Sequence, residues 1–225
     1  MGRAYKWLGG IGYILTLIPI PYAIFVALIL IAIAWIMMGR DTEQTLFTVT
    51  GILMIIAFAM GIAAVGALFP TLGAIFTAMP GFIPGTGQPP TRVPPTETLE
   101  KVLTHIGPLI AIGLAAFVIG LASSIAEIAS HFRASGIFQN TWFKVGGWLR
   151  IATIIVAVIA IPIIILTAMS IPGALKGALP SMTIKNIFTF LTNILWFTLI
   201  AGILGLLAMI FSIIAFFTIP EETLV

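Results

Sequence analysis

Glu127 and His131 stand four residues apart in LASSIAEIASHFR, residues 121–133. On a helix that spacing puts a carboxylate and an imidazole on one face. Such a pair can pass a proton, bind a cation, or help hold a metal together with ligands from other helices. Ser123, Ser124 and Ser130 surround it with hydroxyls. Glu127 is the one ionisable residue that the sequence reads as lying at membrane depth rather than at a segment end, where burial of charge is costly. It also lies about a turn from the end of that segment, where a hydrogen bond to His131 or Arg133 would satisfy it. A metal centre needs more ligands than the chain offers. Cysteine is absent, and His105 lies at the far end of the same segment. Lys101 and His105, again four apart, read as an interface anchor. Neither metal nor cofactor is expected.

Other chemistry-bearing patterns are weak. LGGIG at 8–12 has the glycines of a nucleotide loop but neither the preceding strand nor a phosphate-binding lysine; it reads as a flexible lead-in to a helix. No serine nucleophile elbow, zinc-helix motif or carboxylate pair is present, so no catalytic residue is assigned. Asp41 and Glu43 sit beside Arg40 in a polar loop, and Glu221 and Glu222 form a short acidic tail.

The elements that must position Glu127 and His131 follow from composition. Of 225 residues, 60% are apolar and 8% charged, against about 25% charged in soluble domains. Mean hydropathy is +1.22. Such a chain has lipid as its solvent. Five apolar segments stand out, at about 8–38, 46–79, 102–130, 145–171 and 187–219, each long enough for a helical crossing. Strand-like alternation is missing, and helices alone satisfy the backbone in lipid without a closed barrel. The expected fold is all-α, a polytopic transmembrane bundle of about five spans forming a single membrane domain over 1–225.

Pro19 and Pro21 break the first segment. A kinked single span is the simpler reading, and a short re-entrant helix the alternative. The run after Arg3 and Lys6 continues to Met38, so it reads as a retained span rather than a cleaved signal. Segment two could reach about 50 Å, so tilt, a kink at Pro70 or protrusion must absorb its excess. PGFIPGTGQPPTRVPPTET at 80–98 is too rich in Pro and Gly for helix or strand. Residues 131–150 mix Phe132, Phe138, Trp142, Phe143 and Trp148 with basic side chains, which suits a membrane–water interface and a short surface helix.

The net charge is +3. The ten Lys and Arg are spread over short loops and tails, which points to topology and anionic lipid rather than nucleic acid. The basic residues divide six to four between the two sides for either reading of segment one; a cytoplasmic N-terminus is the working orientation. Ala116, Gly120 and Ser124 recur every four residues and offer a face for close helix packing, as do Gly202 and Gly205 on the last segment. Scarce Asn and Gln with abundant Ile suit a thermophile.

LGGIG after a basic start, GIFQN at 136–140 after a span ending in small and polar residues, and a last span closing on IAFFTI at 214–219 together resemble a multi-pass membrane family, mostly archaeal, known as domain of unknown function 996. The long Pro-rich loop and the few charges after segment one depart from that pattern. The resemblance implies an archaeal plasma membrane protein and transfers no catalytic residue. The leading functional expectation is a non-catalytic subunit within a larger respiratory or secretion-type membrane complex, with lipid and other subunits, or copies of itself, as partners. The alternative is a small transporter or channel with Glu127 near the pathway. A third reading is a lipid- or quinone-directed enzyme using Glu127 and His131 as acid and base.

Overall fold

Two prolines decide how the fold begins. The computed structural model describes residues 4–78, 96–177 and 180–221. Among them there are six helices and no strand: α1 Ala4–Thr16, α2 Pro21–Asp41, α3 Thr45–Ala78, α4 Thr96–Phe138, α5 Thr141–Gly177 and α6 Pro180–Phe217. Five of these, α2 to α6, are long and apolar enough to cross a membrane. The chain is an all-helical bundle whose first apolar segment is broken by proline. Of the Pro-rich loop expected at 80–98, residues 80–95 lie outside the described residues and 96–98 open α4.

The break at Pro19 and Pro21 is sharper than a kink. Ile20 is extended at φ −112° and ψ 120°, with Pro21 opening α2. A residue before proline avoids the helical region, and proline at the first helical position forfeits no bond. In one kinked span Gly12 and Ile31 would lie about 28 Å apart at 1.5 Å per residue. Instead, a Cβ added at Gly12 would stand 2.7 Å from Ile31 Cγ1 and 3.2 Å from the Ala27 carbonyl oxygen. The expectation of a kinked single span is therefore corrected. The segment is a helical hairpin in which short α1 enters the bundle, turns, and returns as α2.

LGGIG makes that hairpin possible, so its reading as a flexible lead-in is corrected too. Gly9, Gly10 and Gly12 all lie within α1. A Cβ at Gly10 would come 2.6 Å from the Phe217 ring, and one at Gly9 would collide with Phe216. Without side chains at these positions, α1 lies directly against α6 on one side and α2 on the other.

Each helix packs on its neighbours in sequence, and α1 closes the circle on α6. Side chains, not backbones, meet across the centre of this ring. The apolar core sits at one end, where Tyr5, Trp35, Phe47, Phe138, Phe143, Phe216 and Ile219 are buried together. Trp35 is the hub: its ring centroid is 5.4 Å from Phe47, 5.4 Å from Phe216 and 6.3 Å from Phe143. Toward the other end, Val65 on α3, Leu114 on α4, Val158 on α5 and Leu195 on α6 are exposed. That surface suits lipid, which solvates apolar side chains at no hydrophobic cost.

The surface helix expected within 131–150 does not form. α4 runs on through Phe138, and α5 begins at Thr141. Gln139 makes the turn with φ 49°. Asn140 Oδ1 then accepts the Trp142 backbone N–H at 3.0 Å, capping α5. Its amide donates to the Ala215 carbonyl and Thr218 Oγ1, both at 3.0 Å, and so ties the α4–α5 turn to the end of α6. Of the expected interfacial aromatics, Phe138 and Phe143 are core, while Trp142 and Trp148 face outward.

The hairpin carries a topological consequence. Ala4 and Glu43 share one end of the bundle, so Ala4→Cys and Glu43→Cys, each in this cysteine-free chain, should react with a membrane-impermeant maleimide from the same side. Labelling from opposite sides would restore the single kinked span.

Candidate functional site

The inward face of α4 carries Ser123, Glu127, Ser130, His131 and Ala134, which follow steps of three or four with Ser130 and His131 side by side. The inward face of α5 carries Phe143, Gly146, Arg150 and Thr153 in the same rhythm. The two faces meet at Glu127 and Arg150. Arg150 Nη2 lies 2.8 Å from Glu127 Oε1, with 14% and 15% of the two side chains exposed. Tyr13, delivered by α1, donates its hydroxyl to the same oxygen at 2.5 Å. The guanidinium carbon stands 5.5 Å over the Tyr13 ring, within range of a cation–π attraction.

A second polar knot lies directly behind this pair. Arg150 Nη1 donates to Ser212 Oγ on α6 at 2.9 Å and to the Gly146 carbonyl at 3.3 Å. His131 Nε2 is 3.1 Å from the same Ser212 oxygen. Its Nδ1 is 2.8 Å from the Glu127 carbonyl oxygen, which can only accept, so Nδ1 carries a proton. Ser212 Oγ also lies 2.7 Å from the Ala208 carbonyl. Ser212 gives its proton to Ala208 O, and its oxygen also faces His131 Nε2 and the Arg150 guanidinium. Gly146 makes the room: a Cβ there would be 3.3 to 3.4 Å from His131, Arg150 and Ser212. The cluster sets one guanidinium against one carboxylate, with an imidazole and a phenol beside them.

A cavity of about 360 Å³ opens onto the pair and is lined by Tyr13, Thr16, Glu127, Arg150 and Thr153 among apolar side chains of α2, α3, α4 and α6. His131 is fully buried and does not line it. A second, apolar crevice of about 560 Å³ lies between α2, α3 and α4 and includes Ser123, Ser124 and Gly120 in its wall. Among the described residues no group of three or more His, Cys, Asp or Glu could hold a metal ion.

Several expected roles change. Glu127 shares a helix face with His131, as its spacing requires, but its carboxylate pairs with Arg150 and Tyr13. Arg133 instead donates to Gln44 Oε1 at 3.0 Å at the exposed end. Ser124 donates to the Gly120 carbonyl at 2.9 Å rather than to Glu127. Gly120, Gly202 and Gly205 do not bring helices together within the chain, since a Cβ at each would meet nothing within 4 Å. Gly120, on the Ala116–Gly120–Ser124 face, hollows the crevice, and Gly205 hollows the polar cavity. The side chains of Lys101 and His105 lie outside the described residues.

Arg150 is the residue that sequence reasoning misplaced, by assigning it to an interfacial loop. The signal was Asn140. As an N-cap it starts α5 at Thr141, which puts Arg150 nine residues inside a candidate span. Tyr13 and Ser212 carry no sequence signal, because their partners come from helices far away in the chain. No family model, curated protein or solved structure matches this chain, so the site rests on its own geometry.

Removing one member of a buried pair strands the other, at a cost of about 3–5 kcal/mol. Glu127→Gln and Arg150→Gln should therefore each lower stability strongly in detergent unfolding. The double variant should lose less than the sum, with a coupling on the order of 2 kcal/mol. Additive losses would mean that the two side chains do not interact.

Proposed function

We propose that this chain is a small multi-pass carrier of the cell membrane, and that the cavity at Glu127 and Arg150 receives its cargo. The observation behind this reading is a cavity of about 360 Å³ that reaches a buried ion pair inside a ring of helices. Ionisable groups within membrane spans are expensive, and they commonly mark a pathway or binding site. Short or proline-broken helices near the binding site are a further habit of transporters; here the broken element, α1, supplies Tyr13 to the pair. The aromatic core around Trp35 seals the ring at one end, whereas the opposite halves of the helices expose apolar side chains. A cavity closed on one side and loosely packed on the other suits access that alternates.

The geometry favours binding over acid–base catalysis. Glu127 and His131 do not line a common pocket, since His131 stands behind Arg150 and Ser212. The subunit reading draws on a different observation. Gly66 on α3 and Gly202 on α6 face open space and line neither cavity, which leaves room for helices of another chain. A stoichiometric set of partners retained in mild detergent would favour that reading over the carrier.

Gly205 tests the carrier directly, because it lines the cavity and has space for a side chain. In reconstituted vesicles, Gly205→Cys should react with a small charged methanethiosulfonate reagent, and Arg150→Gln should change the rate of that reaction. Absence of labelling from either side under every condition would sink the carrier reading.

A further inference from the structure

The carrier reading leaves the cargo unnamed, and the two cavities narrow it. They share Leu28, Met54 and Ser124 as a common wall. One side of that wall is an apolar crevice flanked by Phe25, Phe58 and Ile62. The other side is the polar cavity. Met54 is unbranched and flexible, so the wall can give at that point.

The hydrogen-bond inventory of this pair, which lines the polar cavity, is incomplete among the described residues. Glu127 Oε1 takes both Tyr13 and Arg150, while Oε2 takes no hydrogen bond among the described residues. Arg150 commits Nη1 and one Nη2 proton, and its Nε–H donates to nothing there. The site therefore keeps one strong acceptor and at least one strong donor unused. Glu127 and Arg150 already compensate each other's charge, so a charged head would add net charge inside a low-dielectric bundle, at a heavy cost.

From this we propose that the cargo is a single-chain amphipath with a neutral hydroxyl head. The hydroxyl donates to Glu127 Oε2 and accepts from Arg150, and the apolar tail lies in the crevice between α2, α3 and α4. A hydroxyl matches because it is donor and acceptor at one atom and adds no charge. A long-chain alcohol and a hydroquinone present the same chemistry. This inference rests on the carrier reading for movement, but not for binding.

The test uses the full chain in lipid nanodiscs and a diazirine-labelled long-chain alkanol. Photolabelling should concentrate on peptides of α2 and α3 that line the crevice. Unlabelled alkanol should compete about tenfold better than the matching alkane or carboxylate, the size expected for one hydrogen bond to a charged group. Gly61→Leu, placed where an added Cβ meets nothing, should fill the crevice and abolish the focused labelling while the protein melts as the parent does. Equal competition by the carboxylate would overturn the neutral head, and labelling spread over all lipid-facing helices and unchanged by Gly61→Leu would overturn the site. A fluorescent alkanol in vesicles separates binding from transport: focused binding without transbilayer movement would overturn the carrier and leave the ligand class standing.

Discussion

Four helices meet at a single carboxylate oxygen and the guanidinium beside it. Glu127 comes from α4, Arg150 from α5, Tyr13 from α1, and Ser212 from α6 fastens the far side of the guanidinium. In a bilayer, apolar packing gives little preference between one helix neighbour and another, because lipid solvates the same side chains equally well. A paired charge with few alternative partners does discriminate. The ring order of the helices, with α1 closing on α6, is the arrangement that lets all four side chains reach one point. The re-entrant α1 is part of that requirement, since a first span without the hairpin would leave Tyr13 far from α4.

Glycines in contact with the aromatic core and glycines lining the cavities differ in kind. Gly9, Gly10 and Gly12 in α1, with Gly39, Gly51, Gly146 and Gly147, face atoms so close that a Cβ would have to displace them. They lie in the half of the bundle where Trp35, Phe143 and Phe216 pack. Gly61, Gly120 and Gly205 face space instead, and they line the cavities. One residue type thus tightens the sealed end and hollows the other. Interiors as dense as the first half transmit small shifts without absorbing them, and the glycines that face space lie outside that dense packing.

Much of the fold was legible because lipid imposes blunt rules. Length and apolarity of each segment were enough to place α2 to α6, and Pro19 and Pro21 marked the break before α2. The hairpin itself was not legible, since proline spacing says that a helix ends but not where the chain turns next; that depended on the contact of Gly12 with Ile31 across α1 and α2. In the candidate site, Glu127 stood out because an acid in an apolar run is conspicuous. Arg150 did not, because it follows aromatic and basic residues that resemble an interface. Its depth depends on Asn140 ending one helix and capping the next, a local event that moves the start of α5 by about a turn. Spacing placed His131 on the same face as Glu127, but only the position of Ser212 on α6 shows that its ring turns away from the cavity.

The arrangement turns on an ionised Glu127 facing Arg150. Infrared difference spectroscopy of the full chain in lipid, wild type against Glu127→Gln, measures that state directly. Loss of a carboxylate band on substitution is the expected result. Loss of a protonated carboxyl band instead would mean that the buried pair is not an ion pair, and would contradict the account built on it.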